Sequence, residues 1–131
     1  MRVVAGVVGI AVTVAVVAGC GGSSSGKAAS PGPVQHPASL VGVVGHNDGF
    51  SISLTDPSGQ AISNLQAGTY SLTIKDESSL HNFHLTGDGV DKATSIGSSG
   101  TSTFSVTFKP GSYTFLCDPH SSTMKGKFTV T

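Results

Sequence analysis

The sequence predicts an all-β fold, and three of its features support that prediction. Apolar residues alternate with polar ones over short runs, which is the period of a half-buried strand. Turn-forming residues separate these runs, and glycine is abundant, with 18 in 131 residues. No stretch of about ten residues shows helical periodicity. Short strands with regularly spaced turns are typical of a β-sandwich or a barrel.

Seven segments are predicted to form the strands. In chain order they lie at residues 40–44, 50–54, 70–74, 80–86, 104–108, 113–115 and 128–130. Glycine, proline, aspartate and serine mark turns at residues 56–59, 67–68, 87–89, 97–100 and 109–111. The sequence shows no internal repeat.

Strand alternation also predicts which side chains point into the core. Within the segment at 80–86, His81 shares the face of the apolar residues, whereas Asn82 and His84 face the other way. By the same rule, the strand that contains residues 113–115 directs Cys117 inward. A cysteine and a histidine are thus predicted to point into the same core.

The N-terminal segment is predicted to direct export and to take no part in the fold. Arg2 gives a positive start, residues 3–17 are apolar and uncharged, and small residues precede Cys20. The apolar stretch is shorter than the roughly 20 residues of a membrane span and suits a secretory signal. Its Val-Ala-Gly-Cys ending resembles a bacterial lipobox, so we predict a lipoprotein signal peptide at 1–19 and lipidation of Cys20. A secretory signal cut elsewhere and an uncleaved anchor are the alternatives.

The rest of the chain divides into a linker and one domain. Residues 20–38 are rich in Gly, Ser, Ala and Pro and are predicted to form a flexible linker. The folded domain is predicted over residues 39–131. Charged residues make up 11% of the chain and cancel to zero net charge, so the basic surface of a nucleic-acid-binding protein is absent.

Once Cys20 is lipidated, Cys117 has no partner within the chain. An exported protein lies in an oxidising compartment, where a leftover cysteine calls for an explanation. The explanations are an intermolecular disulfide, a reactive thiol or a bond to a metal.

The residue types that bind metals are concentrated near the C-terminus. Cys117 is followed by His120 and then by Met124, between two predicted strands, and His81 lies upstream in a Leu-His-Asn-Phe-His-Leu segment. One thiolate, two imidazoles and a thioether are the donor set of a type 1 (blue) copper site. The alternatives are His84 in place of His81, a buried core thiol at Cys117 and a gap-filling methionine at Met124.

The Cys-Asp-Pro-His segment with its following methionine resembles the ligand loop of cupredoxins of the plastocyanin, pseudoazurin and amicyanin family. The Leu-His-Asn-Phe-His-Leu segment is similar to the strand that carries that family's first histidine. The resemblance covers residues 48–131 and implies a cupredoxin-like Greek-key β-sandwich of about seven to eight strands. The copper ligands that it implies are His81, Cys117, His120 and Met124. It also implies that Asn82 braces the cysteine loop.

The ligand loop departs from the family in one respect. Three residues separate His120 from Met124, whereas family loops often have two or four, which bears on the axial bond length and the reduction potential. Asp118 has no nucleophile or second carboxylate beside it, so it is predicted to cap the loop turn with Pro119. His36 and His46 are predicted to be ordinary solvated histidines.

The function predicted is that of a monomeric electron carrier and not of an enzyme. It would pass single electrons between membrane-associated redox proteins that dock transiently where His120 is partly exposed. Its place would be the bacterial cell envelope, anchored by lipid on an extracytoplasmic membrane face. An envelope copper carrier or sensor without routine electron transfer is the alternative, since it would use the same ligands. A metal-free adhesion module is a further alternative.

Overall fold

The computed structural model describes residues 39–131, which form nine strands in two sheets. The strands are β1 (Ser39–Val44), β2 (Ile52–Thr55), β3 (Asn64–Leu65), β4 (Gly68–Asp76), β5 (His84–Gly87), β6 (Val90–Ala93), β7 (Gly100–Phe108), β8 (Gly111–Leu116) and β9 (Lys125–Val130). Short 3-10 turns lie at His46–Asp48 and Asp118–His120. The all-β sandwich is confirmed, with nine strands where seven to eight were expected.

Several predictions concern residues before this domain. The signal peptide at 1–19, the lipidated Cys20, the linker at 20–38 and His36 all lie outside the described residues. Within residues 39–131, no helix is long and apolar enough to cross a membrane.

The first sheet has the strand order β2-β1-β4-β7. Its longest strands, β4 and β7, pair antiparallel along their full length, and β1 adds to β4 in parallel. In β4 the side chains of Tyr70, Leu72 and Ile74 are buried. The residues between these three are mostly polar and face outward, as the alternation in the sequence predicts.

The second sheet, ordered β3-β9-β8-β5-β6, brings the metal-binding residue types to one end of the sandwich. β8 lies between β9 and β5 and pairs antiparallel with both. At the last residue of β8, Leu116, the partners are His84 at the start of β5 and Lys125 at the start of β9. Therefore Cys117 after β8, the segment before β5 and the loop before β9 meet at the same edge.

Apolar side chains from both sheets fill the core. Tyr113 and Phe128 stack with ring centroids 5.4 Å apart, and Phe108 meets both rings edge-on. Nearer the metal-binding end, Phe83 and Phe115 stack at 5.6 Å with nearly parallel planes. The stacked Phe83 fixes the segment that carries His81 against the sheet that carries Cys117.

The structure corrects the predicted strand at 80–86. Residues 80–83 form a turn and an extended loop, and β5 begins only at His84. Because the hydrogen-bond ladder of β5 starts only at His84, the alternation of inward and outward side chains does not apply to residues 80–83. His81 is buried as predicted, but the prediction that Asn82 faces away from the core is wrong, since only 1% of it is exposed.

Two strands and one side chain were not foreseen. β3 has only two residues, and β6 buries only Val90, so neither shows an alternating pattern. Phe50 was predicted to begin a strand, yet β2 starts at Ile52 and Phe50 is 69% exposed.

Candidate metal centre

Three donor atoms converge at the end of the sandwich that β8 leads into. The Nδ1 atoms of His81 and His120 lie 3.0 Å apart, and the Sγ atom of Cys117 lies 3.6 Å from the first and 3.5 Å from the second. A point equidistant from the three atoms lies roughly 2 Å from each, which is the bond length between imidazole nitrogen and a first-row metal ion such as zinc. The triangle therefore has the size of a metal coordination plane.

The chemistry of these donors fits a copper ion. Two ring nitrogens that face each other at 3.0 Å are satisfied only by a proton or a cation between them. A thiolate with two imidazoles in a trigonal arrangement is the set found in blue-copper sites, where a weak axial thioether completes it. Met124, the expected source of that thioether, is 1% exposed and lies in the same loop.

The loop from Cys117 to Met124 is closed by its own backbone. The amide of His120 donates to the Cys117 carbonyl at 3.0 Å, and the amide of Met124 donates to the His120 carbonyl at 2.8 Å. The Cys117 amide in turn donates to the Met124 carbonyl at 2.9 Å. Pro119 sits in the first turn of the 3-10 segment, where its missing N–H costs nothing. These bonds set the spacing of all three side chains before any metal binds.

His81 comes from the other side of the triangle and is packed tightly. Gly45 has φ +70°, and a Cβ atom there would lie 2.6 Å from Cβ of Ser78 and 2.9 Å from Cδ2 of His81. Only glycine therefore allows this close approach of the chain to the imidazole. The Nδ1 atom of His81 faces Cys117. The Nε2 atom of the same ring is buried and has no hydrogen-bond partner in residues 39–131.

Asn82 ties the His81 segment to the cysteine loop. Its Oδ1 accepts a hydrogen bond from the Asp118 amide at 2.8 Å, and its Nδ2 donates to Asp118 Oδ2 at 2.7 Å. The predicted bracing role of Asn82 agrees with this geometry. The prediction that Asp118 caps the loop turn is wrong, because its carboxylate accepts hydrogen bonds from Asn82 and His84 and from no group of the turn.

His84, the alternative to His81, points away from the donor triangle. Its Nδ1 lies 2.8 Å from Asp118 Oδ1 and its Nε2 lies 2.9 Å from Asp91 Oδ1. The hydrogen bond to Asp118 raises the pKa of His84 above its ordinary value; partial burial opposes this, and Asp91 adds to it. For Asp118, desolvation alone would raise the pKa, but the hydrogen bonds from His84 and Asn82 together bring it below its usual range. Both ring nitrogens of His84 are occupied, so the ring is an ion-pair partner.

Thr94 and Asp76, which the sequence did not single out, support the segment that follows His81. Thr94 Oγ1 accepts a hydrogen bond from the Phe83 amide at 2.8 Å and donates to Asp76 Oδ2 at 2.7 Å. The Thr94 amide also donates to the Phe83 carbonyl at 3.0 Å. No motif marks Thr94 or Asp76 in the sequence, since the contact joins residues that are far apart along the chain.

Phe50 and His46 lie in the segment that precedes β2. Phe50 meets the rings of His81 and His120 edge-on, at centroid distances of 5.4 Å and 4.8 Å. His46, expected to be solvated, is indeed exposed, and its Nδ1 lies 2.6 Å from Oε2 of Glu77. Of these two contacts, only that of Phe50 reaches the donor triangle.

A nine-strand sandwich with a buried cysteine and two histidines at one end defines a cupredoxin-type copper protein. Residues 59–131 match the model of a family described as copper binding proteins of the plastocyanin/azurin type. This chain belongs to that family. No curated protein matches the sequence.

Solved structures of rusticyanin share this fold. A variant of rusticyanin in which a methionine is replaced by glutamine aligns with a TM-score of 0.55 and 18% identity over 71% of this chain and 76% of that one. Reduced rusticyanin aligns with a TM-score of 0.54 and 18% identity, over 71% of this chain and 78% of that one. Rusticyanin from Thiobacillus ferrooxidans aligns with a TM-score of 0.51 and 18% identity, over 71% of this chain and 76% of that one. Identities this low show the fold alone. Together with the family and the His81–Cys117–His120 cluster, the fold indicates a type 1 copper cofactor.

Proposed function

We propose that the protein carries single electrons through one copper ion bound by His81, Cys117 and His120, with Met124 as the axial ligand. The observation that carries this proposal is the donor triangle, whose three atoms lie at coordination distance from one common point. Backbone hydrogen bonds of the ligand loop and the bond of Asn82 to the Asp118 amide hold the segments that carry these atoms. The copper ion, when bound, supplies a one-electron couple between Cu(I) and Cu(II). A ligand set held by the backbone need not rearrange when the charge changes, which favours rapid electron transfer.

Electrons enter and leave on the side of His120. His81, Cys117 and Met124 are all buried, whereas His120 is partly exposed. Phe50, beside the His120 ring, is a strongly exposed apolar residue, and so is Leu80, which precedes His81 in the chain. With zero net charge, the chain has no strong field to steer a partner. We therefore propose a small, transient and largely apolar contact with redox proteins.

The sequence of the N-terminal segment supports a proposal for the cellular setting. A lipid on Cys20 would anchor the mature protein on an extracytoplasmic membrane face, and the linker at 20–38 would let the domain reach membrane-bound redox partners. We propose that it acts as a monomer and not as an enzyme, and that nucleic acid is not a partner. A type 1 centre in an enzyme passes electrons to a second copper site, and residues 39–131 offer only His46 and His84 beyond the first.

Electron self-exchange tests the proposal without a known partner. Reduced and oxidised copper-loaded protein are mixed, and the exchange rate is read from the broadening of proton NMR signals as the oxidised fraction rises. An electron carrier gives a reversible one-electron couple by voltammetry and measurable exchange broadening. A copper carrier or sensor would bind the ion but show slow exchange without a reversible couple, and that result would contradict electron transfer.

A further inference from the structure

Phe50 is a large apolar residue that the core does not use. It is 69% exposed, although burial of a phenylalanine is strongly favourable. Its aromatic contacts are with His120, at a centroid distance of 4.8 Å and an interplanar angle of 84°, and with His81, at 5.4 Å and 74°. Both are edge-to-face arrangements of the kind that aromatic rings favour. The Phe50 ring therefore packs against the two imidazoles of the metal site.

The loop before Phe50 is held in an unusual conformation. Asn47 and Asp48 both have positive φ, at 54° and 56°. Left-handed backbone at residues other than glycine costs free energy and is retained where the surroundings impose it. Hydrogen bonds supply that constraint, from the Gly45 amide to the Ser51 carbonyl at 3.0 Å and from the Ser51 amide to the Gly49 carbonyl at 2.8 Å. The contact of the Glu77 carboxylate with Nδ1 of His46 also holds the loop in place.

The position of Phe50 matters because, within residues 39–131, His120 is the one member of the donor triangle that is partly exposed. His81 and Cys117 are 1% and 0% exposed, so solvent reaches the donors past His120. Phe50 lies against that ring and also against His81, so it contacts both imidazoles. A ring that touches both imidazoles restricts their rotation about χ2, and it crowds the path by which a ligand exchanges.

We propose that Phe50 is a positioning residue that holds both imidazoles with Nδ1 toward Cys117 and thereby slows the exchange of copper. The inference depends on the proposed copper ligands but not on electron transfer. An electron carrier must retain its metal when other copper-binding molecules are present.

The test is the rate at which the copper-loaded chain gives up Cu(I) to an excess of bathocuproine disulfonate, followed by the absorbance of the chelate under reducing, anaerobic conditions. Phe50→Ala is expected to release copper about tenfold faster, the factor expected from the loss of two edge-to-face contacts. Phe50→Tyr keeps an aromatic ring at this position, so it is expected to retain the rate of the unaltered protein. The thermal midpoint of each variant is recorded beside the rate.

Ile96→Ala is the matched control, because Ile96 is also a large, exposed apolar residue, at 56%. Its release rate is expected to stay unchanged. Equal rates for Phe50→Ala and the unaltered protein would overturn the proposal, as would equal acceleration by Ile96→Ala. If Phe50→Ala holds no copper, Phe50→Leu is measured, and an unchanged rate there would overturn the proposal equally. Absence of a thiolate–copper band in the unaltered protein, seen before chelator is added, would refute the ligand set instead.

Discussion

Asn82 and Asp118 exchange two hydrogen bonds, one through the Asp118 amide at 2.8 Å and one through its carboxylate at 2.7 Å. The pair joins the residue after one donor histidine to the residue after the donor cysteine. Asn82 is 1% exposed, so its amide has no access to water as a substitute partner. This side chain therefore helps to set the distance between His81 and Cys117, together with the stack of Phe83 on Phe115.

Replacing Asn82 by alanine is expected to loosen the metal site and the fold together. Leaving the Asp118 amide without its partner should lower the free energy of unfolding by about 2–3 kcal/mol. Denaturant unfolding measures this loss, and the thiolate–copper absorption band should shift or broaden as the cysteine loop gains freedom. Asn64→Ala is the control, since the Asn64 side chain is exposed and, within residues 39–131, bonds only to the Thr129 hydroxyl at 3.1 Å. Equal effects of the two substitutions would contradict the bracing role.

The ion pair of His84 with Asp118 predicts a particular dependence of stability on pH. Because the pKa of His84 is raised in the folded state, its contribution is complete below the unfolded pKa of about 6.5 and is lost as pH rises through the higher folded value. At acid pH the stabilisation by the ion pair is limited by Asp118, whose pKa is lowered in the folded state. That stabilisation is lost as the pH falls through the folded pKa of Asp118.

His84→Asn tests this dependence, because asparagine keeps a neutral donor at the same place. The variant is expected to be less stable by about 1 kcal/mol near pH 5.5, a value reduced for the partial exposure of the pair. The difference should shrink toward zero as the pH rises above the folded pKa of His84. Unfolding free energies of both proteins are compared across the pH range. A difference that grows with pH would contradict the assigned ion pair.

A methyl group at Gly126 is expected to disturb the strand that leaves the ligand loop. Gly126 in β9 pairs with Phe115 in β8, and a Cβ atom there would overlap Cζ of the Phe115 ring. Overpacking of this kind costs about 1–3 kcal/mol. Gly126→Ala should therefore lower the denaturant midpoint, whereas Lys127→Ala, one exposed position further along β9, should change it little. A midpoint for Gly126→Ala equal to that of Lys127→Ala would show that the sheet accommodates the methyl group.

A charge on the proposed docking side should slow electron exchange between copies of the protein. Leu80 is 61% exposed and precedes His81. Leu80→Lys places like charges against each other whenever two copies meet by this side, and we expect self-exchange to fall about tenfold at low ionic strength and to recover with salt. Thr107→Lys adds the same charge at the far end of β7 and should leave the rate nearly unchanged. Equal slowing by both would place the contact elsewhere.

Much of the fold was predictable because alternation is a local signal. The buried residues of β4, β8 and β9 were recognised from their period of two, and Cys117 follows directly from the phase of β8. β6 escaped recognition because it is an edge strand with a single buried residue. The strand alternation gives the wrong orientation for Asn82 because residues 80–83 lie outside the strand ladder, where Phe83 bonds to Thr94 and His81 bonds to Ser78.

The donor residues could be chosen from the sequence, but their surroundings could not. The spacing of Cys117, His120 and Met124 lies within one loop and is visible as a motif. By contrast, the contact of Phe50 with His120 and the ion pair of His84 with Asp118 join segments more than 30 positions apart. Such contacts depend on how two sheets and their loops pack, which no local pattern encodes.

Visible absorption and EPR spectra of the protein loaded with Cu(II) show whether His81, Cys117 and His120 hold a type 1 copper ion. We expect an intense thiolate-to-copper band with the EPR signature of a type 1 centre, and loss of that band in Cys117→Ser. Copper bound only as an ordinary nitrogen–oxygen complex, with a spectrum that Cys117→Ser leaves unchanged, would contradict this assignment.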